Sequence, residues 1–307
     1  MDVKDVRIFC EMAFKYLDYS AFKRRHVSPS EIGRKLGLDE KTVRLRVRKM
    51  EEEGFVKYYQ AIPNLSLFGL RSMGFYSFEA ADIVSKYDAL SYLRSSPGIV
   101  ETFDMLGPGF LATIAGTSSE EVQEKVDRIS DDLKLKMSMK VGDRIPKPPL
   151  RSPDKLGWRI IQRLRYDALC SATDIADALS VTPRVAEYRI TKLLESGAFF
   201  IRAILDAQRQ QGLIFYALLV SVDDAKKSRI IGKLKDTFGE KLWSFSTPMK
   251  GVIVANVFGF TTGEPERAVM STLKHEGVSQ CTFAIFKEVV ESERPNWIDR
   301  LIERQIS

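Results

Sequence analysis

Two stretches of this chain lie over one another without a gap. Residues 28–70 and 171–213 run in register at a separation of 143, with Ser28/Ser171, Ile32/Ile175, Leu36/Leu179, Arg46/Arg189, Lys49/Lys192, Glu52/Glu195, Gly54/Gly197, Gly69/Gly212 and Leu70/Leu213 identical. Val47/Ile190, Met50/Leu193 and Leu38/Val181 keep apolar character. A register held over that length constrains the fold more than any local motif, because whatever one copy forms the other must form too. The 307 residues exceed what one hydrophobic core normally serves, which leaves room for both copies and several domains.

The elements follow the same plan twice. In the first copy, apolar residues at helical spacing over 6–19 (Val6, Phe9, Met12, Ala13, Tyr16, Leu17) predict a helix. A basic loop with Lys23, Arg24, Arg25 and His26 follows. Ser28, Pro29 and Glu31 carry a capping-box signature that opens a second helix, which Gly37 ends. Asp39 caps a third helix over 40–53, stopped by Gly54, and residues 55–62 read as a strand forming one arm of a wing. The second copy repeats this order: a helix over 156–169, a second over 171–179 with Asp174 three residues after Ser171, and a third from Thr182-Pro183 to Ser196. A strand over 199–205 completes it.

A βαββαβ rhythm follows each motif. Strands are expected over 73–78, 99–105, 110–115 and 135–141, with helices over 82–95 and 119–133. In the second copy the strands fall at 213–222, 242–246, 252–258 and 282–289, with helices at 224–238 and 264–275. Two strand-helix-strand units sharing a sheet make a ferredoxin-like arrangement. The fold class expected is therefore α+β, two winged helix-turn-helix domains alternating with two ferredoxin-like domains. Residues 1–65 and 154–208 form the winged domains, and 66–144 and 209–290 the ferredoxin-like ones. A linker over 145–153 holds four prolines in nine residues and favours an extended spacer. Residues 291–307 are read as a C-terminal helix whose stripe of Trp297, Ile298, Leu301 and Ile302 is a surface through which two chains could pair.

Composition narrows the function classes. A hydrophobic fraction of 44% and a charged fraction of 29% describe an ordinary folded protein. The longest apolar run, 213–220, is far too short for a bilayer, and the first residues lack a secretory stretch, so no membrane partner and a cytoplasmic location are expected. Cys10, Cys170 and Cys281 have no paired spacing, and His26 and His275 are the two histidines present. With no phosphate loop, nucleophile elbow or HExxH, no metal, cofactor or enzymatic activity is expected. The net charge is +6, and seven bases fall between Arg34 and Lys49. A basic cluster on one helix is a nucleic-acid footprint.

On a helical wheel Val43, Val47 and Met50 share the inner face of the third helix. Lys41, Arg44, Leu45 and Arg48 lie opposite, flanked by Thr42 and Lys49. Such a face suits the major groove of double-stranded DNA: arginine forks onto guanine, Thr or Leu meets a thymine methyl, and lysine neutralises phosphate. Arg34, Lys35, Arg24, Arg25 and Lys57 are the candidate backbone contacts. The second copy presents a weaker set, Arg184, Tyr188, Thr191 and Lys192. There Glu187 stands in place of Arg44, and Asp174 and Asp177 sit on the preceding helix.

The run 28–57, SPSEIGRKLGLDEKTVRLRVRKMEEEGFVK, followed by a βαββαβ domain, resembles the Lrp/AsnC (feast/famine) regulators. The resemblance spans nearly the whole chain, once per copy. It implies a DNA-binding transcription regulator whose ferredoxin-like domains mediate dimerisation, here a likeness to a homodimer, and bind a small-molecule effector. Two features depart from the family: the unit is fused in tandem, and the family's Gly-x-x-Asp turn reads Gly107-Pro108-Gly109-Phe110 and Gly251-Val252-Ile253-Val254. Siroheme decarboxylases also look like Lrp/AsnC pairs, so an enzyme of that type is one alternative. A protein-interaction adaptor using both helix-turn-helix motifs is the other.

Overall fold

The computed structural model describes residues 1–13, 28–144, 148–206, 212–247, 249–290 and 293–307. The first copy holds α1 (Val3–Ala13), α2 (Pro29–Leu36), α3 (Glu40–Glu52), β1 (Val56–Pro63), β2 (Ser72–Glu79), α4 (Ile83–Leu93), β3 (Ile99–Met105), β4 (Gly109–Gly116), α5 (Ser119–Asp132) and β5 (Lys136–Arg144). The second holds α6 (Lys155–Leu164), α7 (Ala172–Leu179), α8 (Pro183–Glu195), β6 (Phe199–Leu205), β7 (Ile214–Val222), α9 (Lys227–Phe238), β8 (Leu242–Ser246), β9 (Val252–Gly259), α10 (Glu264–Leu273) and β10 (Val278–Val290). The chain ends in α11 (Trp297–Ile306). The four-stranded α+β plan expected for each copy is present, twice.

Like parts of the two copies come together. One compact unit gathers Met1–Arg71, Pro146–Arg209 and Ile298–Ser307, and the other gathers Ser72–Ile145 and Gln210–Trp297. In the first unit both helix-turn-helix motifs share a two-stranded antiparallel ribbon, β1 against β6. The strand expected as one arm of a wing is there, and its partner, which the sequence left open, is the counterpart strand of the other copy. Tyr59 faces Ala203 and Gln60 faces Arg202. A shift of 143 residues carries the first pair onto the second, so the ladder has the self-complementary register of a two-fold dimer. Phe199, Phe200, Ile201 and Ala61 bury on it. Burial of one such large side chain stabilises by about 1.5–3 kcal/mol. Asn64 adds a cross-copy tie, its Nδ2 donating to the Gly197 carbonyl at 3.0 Å.

The C-terminal helix belongs to this unit as well. Ile298 and Ile302 are buried, so the stripe expected to pair two chains is already in use. Arg165, itself buried, donates from Nε to Asp299 at 2.9 Å and from a terminal nitrogen to the Ala61 carbonyl at 2.7 Å. The helix expected over 156–169 stops at Leu164, and Arg165 is the residue that caps it.

The second unit is one eight-stranded sheet in the order β5-β2-β4-β3-β10-β7-β9-β8. Each half has the ferredoxin-like order, fourth-first-third-second. In the first half Tyr76, Phe78, Phe110 and Ile114 bury against Leu90 and Leu93 of α4 and Val122 and Val126 of α5. In the second half Leu218, Val220, Ile253 and Val257 bury against Ile230 and Leu234 of α9 and Ala268 of α10. The halves join where β10, the longest strand, runs past β7 and pairs through Val290 with Thr102 of β3. The outer strands β5 and β8, whose pairing would be the counterpart of β10 with β3, are not hydrogen-bonded neighbours among the described residues.

Candidate nucleic-acid interface

The first helix-turn-helix is built around a tight turn. Gly37 takes a left-handed conformation, φ 66°, that closes α2, and its N–H returns to the Gly33 carbonyl. A Cβ at Gly33 would strike the Leu38 carbonyl, so glycine is needed for the close approach of turn and helix. Pro29 occupies the first turn of α2, yet Ser28 makes no side-chain cap bond, and its hydroxyl lies 2.6 Å from that of Ser30. The capping box expected there is absent. In the second copy it is complete, formed by Ser171 and Asp174.

Asp39 caps α3 as expected, accepting from the Thr42 backbone N–H at 2.8 Å and from its hydroxyl at 2.5 Å. The Thr42 hydroxyl and N–H hold the Asp39 carboxyl below its ordinary value. The Thr42 hydroxyl is therefore committed to the cap, leaving its methyl for an outside contact. Val43 and Met50 are fully buried, and Val47 is half-buried.

The opposite face of α3 lies open. Lys41, Arg44, Arg48 and Lys49 are exposed, and Leu45 is 59% exposed, an unusual place for leucine on a basic helix. The cations are not bare. Arg44 rests on Glu40, Arg48 on Glu52 and Lys49 on Glu53, each pair four residues apart. Exposed pairs of this kind contribute about 0.3–0.5 kcal/mol, so a phosphate or a guanine edge can take the arginine at little cost. The acids near the end of α3 thus serve as resting partners for the bases one turn earlier.

The flanking candidates divide. Arg34 and Lys57 are exposed. Lys35 pairs with Glu11 of α1, a nearly buried carboxylate, and so tethers α2 to α1. Arg24 and Arg25 lie outside the described residues. On the same helix Arg46 turns inward, donating to Asp5 at 2.6 Å and Asp2 at 2.9 Å. Its hydrogen bonds to these two carboxylates, Asp5 foremost, raise its pKa. Its counterpart Arg189 donates to Asp154 at 2.7 Å. The identity of Arg46 and Arg189 between copies therefore has a structural cause: each docks its third helix onto its first.

The third helix of the second copy, α8, presents Arg184, Glu187, Tyr188 and Lys192 on its exposed face, with Thr191 half-buried. Tyr188 is 61% exposed. Lys192 pairs with Glu195, whose carboxylate raises the lysine. A carboxylate, an aromatic ring and one resting lysine replace the run of bases on α3.

Residues 23–57 match the family model for winged helix-turn-helix DNA-binding. No curated protein matches the chain in sequence. The crystal structure of the siroheme decarboxylase NirDL is similar to 99% of this chain across 98% of its own, at 12% identity and a TM-score of 0.53. Its co-complex with an iron-uroporphyrin III analogue is similar across 95% and 96%, at 14% identity and a TM-score of 0.54. Escherichia coli AsnC is similar to 43% of this chain over 91% of its own, at 13% identity and a TM-score of 0.35. The two-copy fold is thus one that an enzyme also has, and this overturns the expectation that the chain is not an enzyme. Among the described residues no helix is long and apolar enough to cross a membrane.

Proposed function

We propose that this chain is a DNA-binding regulator of the Lrp/AsnC type, in which α3 enters the major groove of double-stranded DNA. The observation that carries it is the open face of α3: four exposed cations, three of them held only by weak pairs along their own helix, around an exposed Leu45. The match of residues 23–57 to the winged helix-turn-helix DNA-binding model supports the same reading. Arg44 and Arg48 are assigned to base edges, with Leu45 and the Thr42 methyl against thymine. Lys41, Lys49, Arg34 and Lys57 are assigned to phosphates. The α8 face, with Glu187 in place of Arg44, contributes less. A homodimer, which the resemblance implies, would bring two α3 helices to one operator.

Footprinting on genomic fragments tests this. The wild type protects discrete sites, and the spacing of half-sites reports how many α3 helices engage. Arg44→Ala/Arg48→Ala abolishes the protected sites while the protein remains folded. Protection unchanged in that variant would overturn the assignment.

The full-length likeness to NirDL supports a second reading, a tetrapyrrole-binding enzyme. Fold likeness alone does not establish chemistry. Addition of iron-uroporphyrin III, with a scan for a shifted absorbance band and for released carbon dioxide, separates the two readings. Neither signal at stoichiometric protein rejects the enzyme.

A further inference from the structure

Between α6 and the end of α7, the second helix-turn-helix holds an open groove of about 530 Å3. Arg159, Gln162, Arg163, Tyr166, Asp167 and Leu179 line it. That volume suits a small molecule.

Its cations differ from the arginines of the same unit that hold elements together. Arg44, Arg46, Arg48, Arg165 and Arg189 each rest on a carboxylate. Arg159 and Arg163 are exposed, four residues apart on α6. Among the described residues neither makes a hydrogen bond or an ion pair. Like charges at that spacing destabilise a helix. The acid that feels Arg163 is Asp174, and its carboxylate is committed to the Ser171 capping box. Two guanidiniums side by side, unanswered and facing a groove, form a site for an oxyanion, which arginine engages with paired N–H donors.

The rest of the lining has the opposite character. Asp167, in the connection that follows α6, supplies a carboxylate. The last carbonyls of α7, beside Leu179, carry the partial negative charge of a helix C-terminus. The groove therefore offers both signs of charge.

We propose that it binds a small dipolar molecule, with a carboxylate or phosphate on Arg159 and Arg163 and an ammonium end on Asp167. Gln162, with both donor and acceptor, bridges the middle. Occupancy would bear on the shared ribbon. The Tyr166 hydroxyl donates to Asp299 at 2.6 Å, and Asp299 also accepts from Arg165, which reaches the Ala61 carbonyl of β1. A ligand against Tyr166 thus touches a hydrogen-bonded chain running through α11 to the ladder that joins both helix-turn-helix copies.

Titration calorimetry on the full chain tests this without DNA, so its outcome is independent of the groove-reading role of α3. The probes are phosphoethanolamine, β-alanine, inorganic phosphate and ethanolamine. One of the first two is expected to bind with a Kd of about 1 mM or tighter, and more tightly than inorganic phosphate or ethanolamine. Which of the two binds identifies the anionic head. Arg159→Gln/Arg163→Gln should weaken it by about tenfold or more. Asp167→Asn should weaken the dipolar probe and leave inorganic phosphate unchanged. All three side chains are exposed, and circular dichroism verifies that the variants fold. Absence of binding by both dipolar probes, affinity no better than that of phosphate, or unchanged affinity in the double arginine variant would overturn the proposal.

Discussion

Asp104→Ala should be among the most damaging single substitutions in the ferredoxin-like unit. The side chain of Asp104 is 1% exposed and that of Lys86 2%. Lys86 Nζ donates to Asp104 Oδ1 at 2.7 Å, to the Met105 carbonyl at 3.0 Å and to the Gly107 carbonyl at 2.8 Å. Asp104 Oδ2 accepts from Lys287 of β10 at 2.5 Å and from the Tyr87 hydroxyl at 3.2 Å. One carboxylate therefore answers a buried cation from its own half and a second cation from the other half. Loss of one partner of a buried pair costs about 3–5 kcal/mol. We expect about 3 kcal/mol, because two carbonyls still hold Lys86 and Lys287, 37% exposed, can turn to water. Lys86→Met should cost about 1–2 kcal/mol, since Asp104 keeps Lys287 and Tyr87. Lys86→Met/Asp104→Leu should return to within about 1 kcal/mol of wild type, as apolar replacement of a buried pair often does.

The second half already has such a replacement: fully buried Ile230 occupies the corresponding turn of α9. Hydrogen exchange of β3 and β10 amides is the assay, because a chain of two units need not unfold in one step. A change below about 1 kcal/mol for Asp104→Ala, or a double variant worse than the single, would refute the reasoning. The pH dependence has a fixed sign. Burial pushes Asp104 up, but Lys287 and Lys86 outweigh it and hold the carboxyl below its usual range. Its contribution is thus present above the unfolded value and lost as pH falls through the lower folded one. Burial lowers Lys287, and Asp104 and Tyr87 overcome it, holding the ammonium above its usual range. That contribution is present below the unfolded value and lost as pH rises through the folded one. The junction is therefore fully stabilised across neutral pH.

Arg46→Ala should destabilise the first helix-turn-helix by about 1 kcal/mol, and Arg189→Ala by about half that, since Arg46 holds two carboxylates and Arg189 one; thermal melts of both variants check the order. Glu121 accepts from Lys125, the Thr117 hydroxyl and the Thr117 N–H, and these hold its carboxyl at about 2. Its stabilisation is present above the unfolded value and lost as pH falls through about 2, which a carboxyl NMR titration of wild type against Glu121→Gln would read. Deletion of 298–307 uncovers the sites of Ile298 and Ile302 and strips Arg165 of Asp299. It should cost about 3 kcal/mol or more and render β1 and β6 susceptible to proteolysis; a protease-resistant ribbon would contradict this.

The doubled plan was legible because local signals repeat: Ser28 and Ser171 ahead of the second helices, Gly54 and Gly197 after the third, and alternation along the strands. How the copies embrace was not. The partner of β1 lies about 140 residues away in β6, and nothing local to residues 56–63 distinguishes a wing arm from a shared ribbon. Ser28 followed by Glu31 has the letters of a capping box, but only Ser171 with Asp174 closes one. The basic face of α3 was visible in its spacing, whereas its resting acids required the geometry of residues four apart. Lys86 carried a readable signal: apolar Ala89, Leu90 and Leu93 put position 86 on the inner face of α4, where a lysine demands a buried carboxylate. The inward turn of Arg46 was masked by its neighbours, because Arg44 and Arg48 point outward on the same helix.

The most direct measurement is fluorescence anisotropy of a protected duplex across a series of salt concentrations. If α3 is the DNA reader, affinity falls steeply with salt, and Lys41→Ala and Lys49→Ala each lower the log–log slope by about 1. Arg44→Ala/Arg48→Ala should then bind the protected duplex no better than a scrambled one. A wild type that binds both duplexes equally, or a double variant that still prefers the protected sequence, would contradict a groove-reading α3.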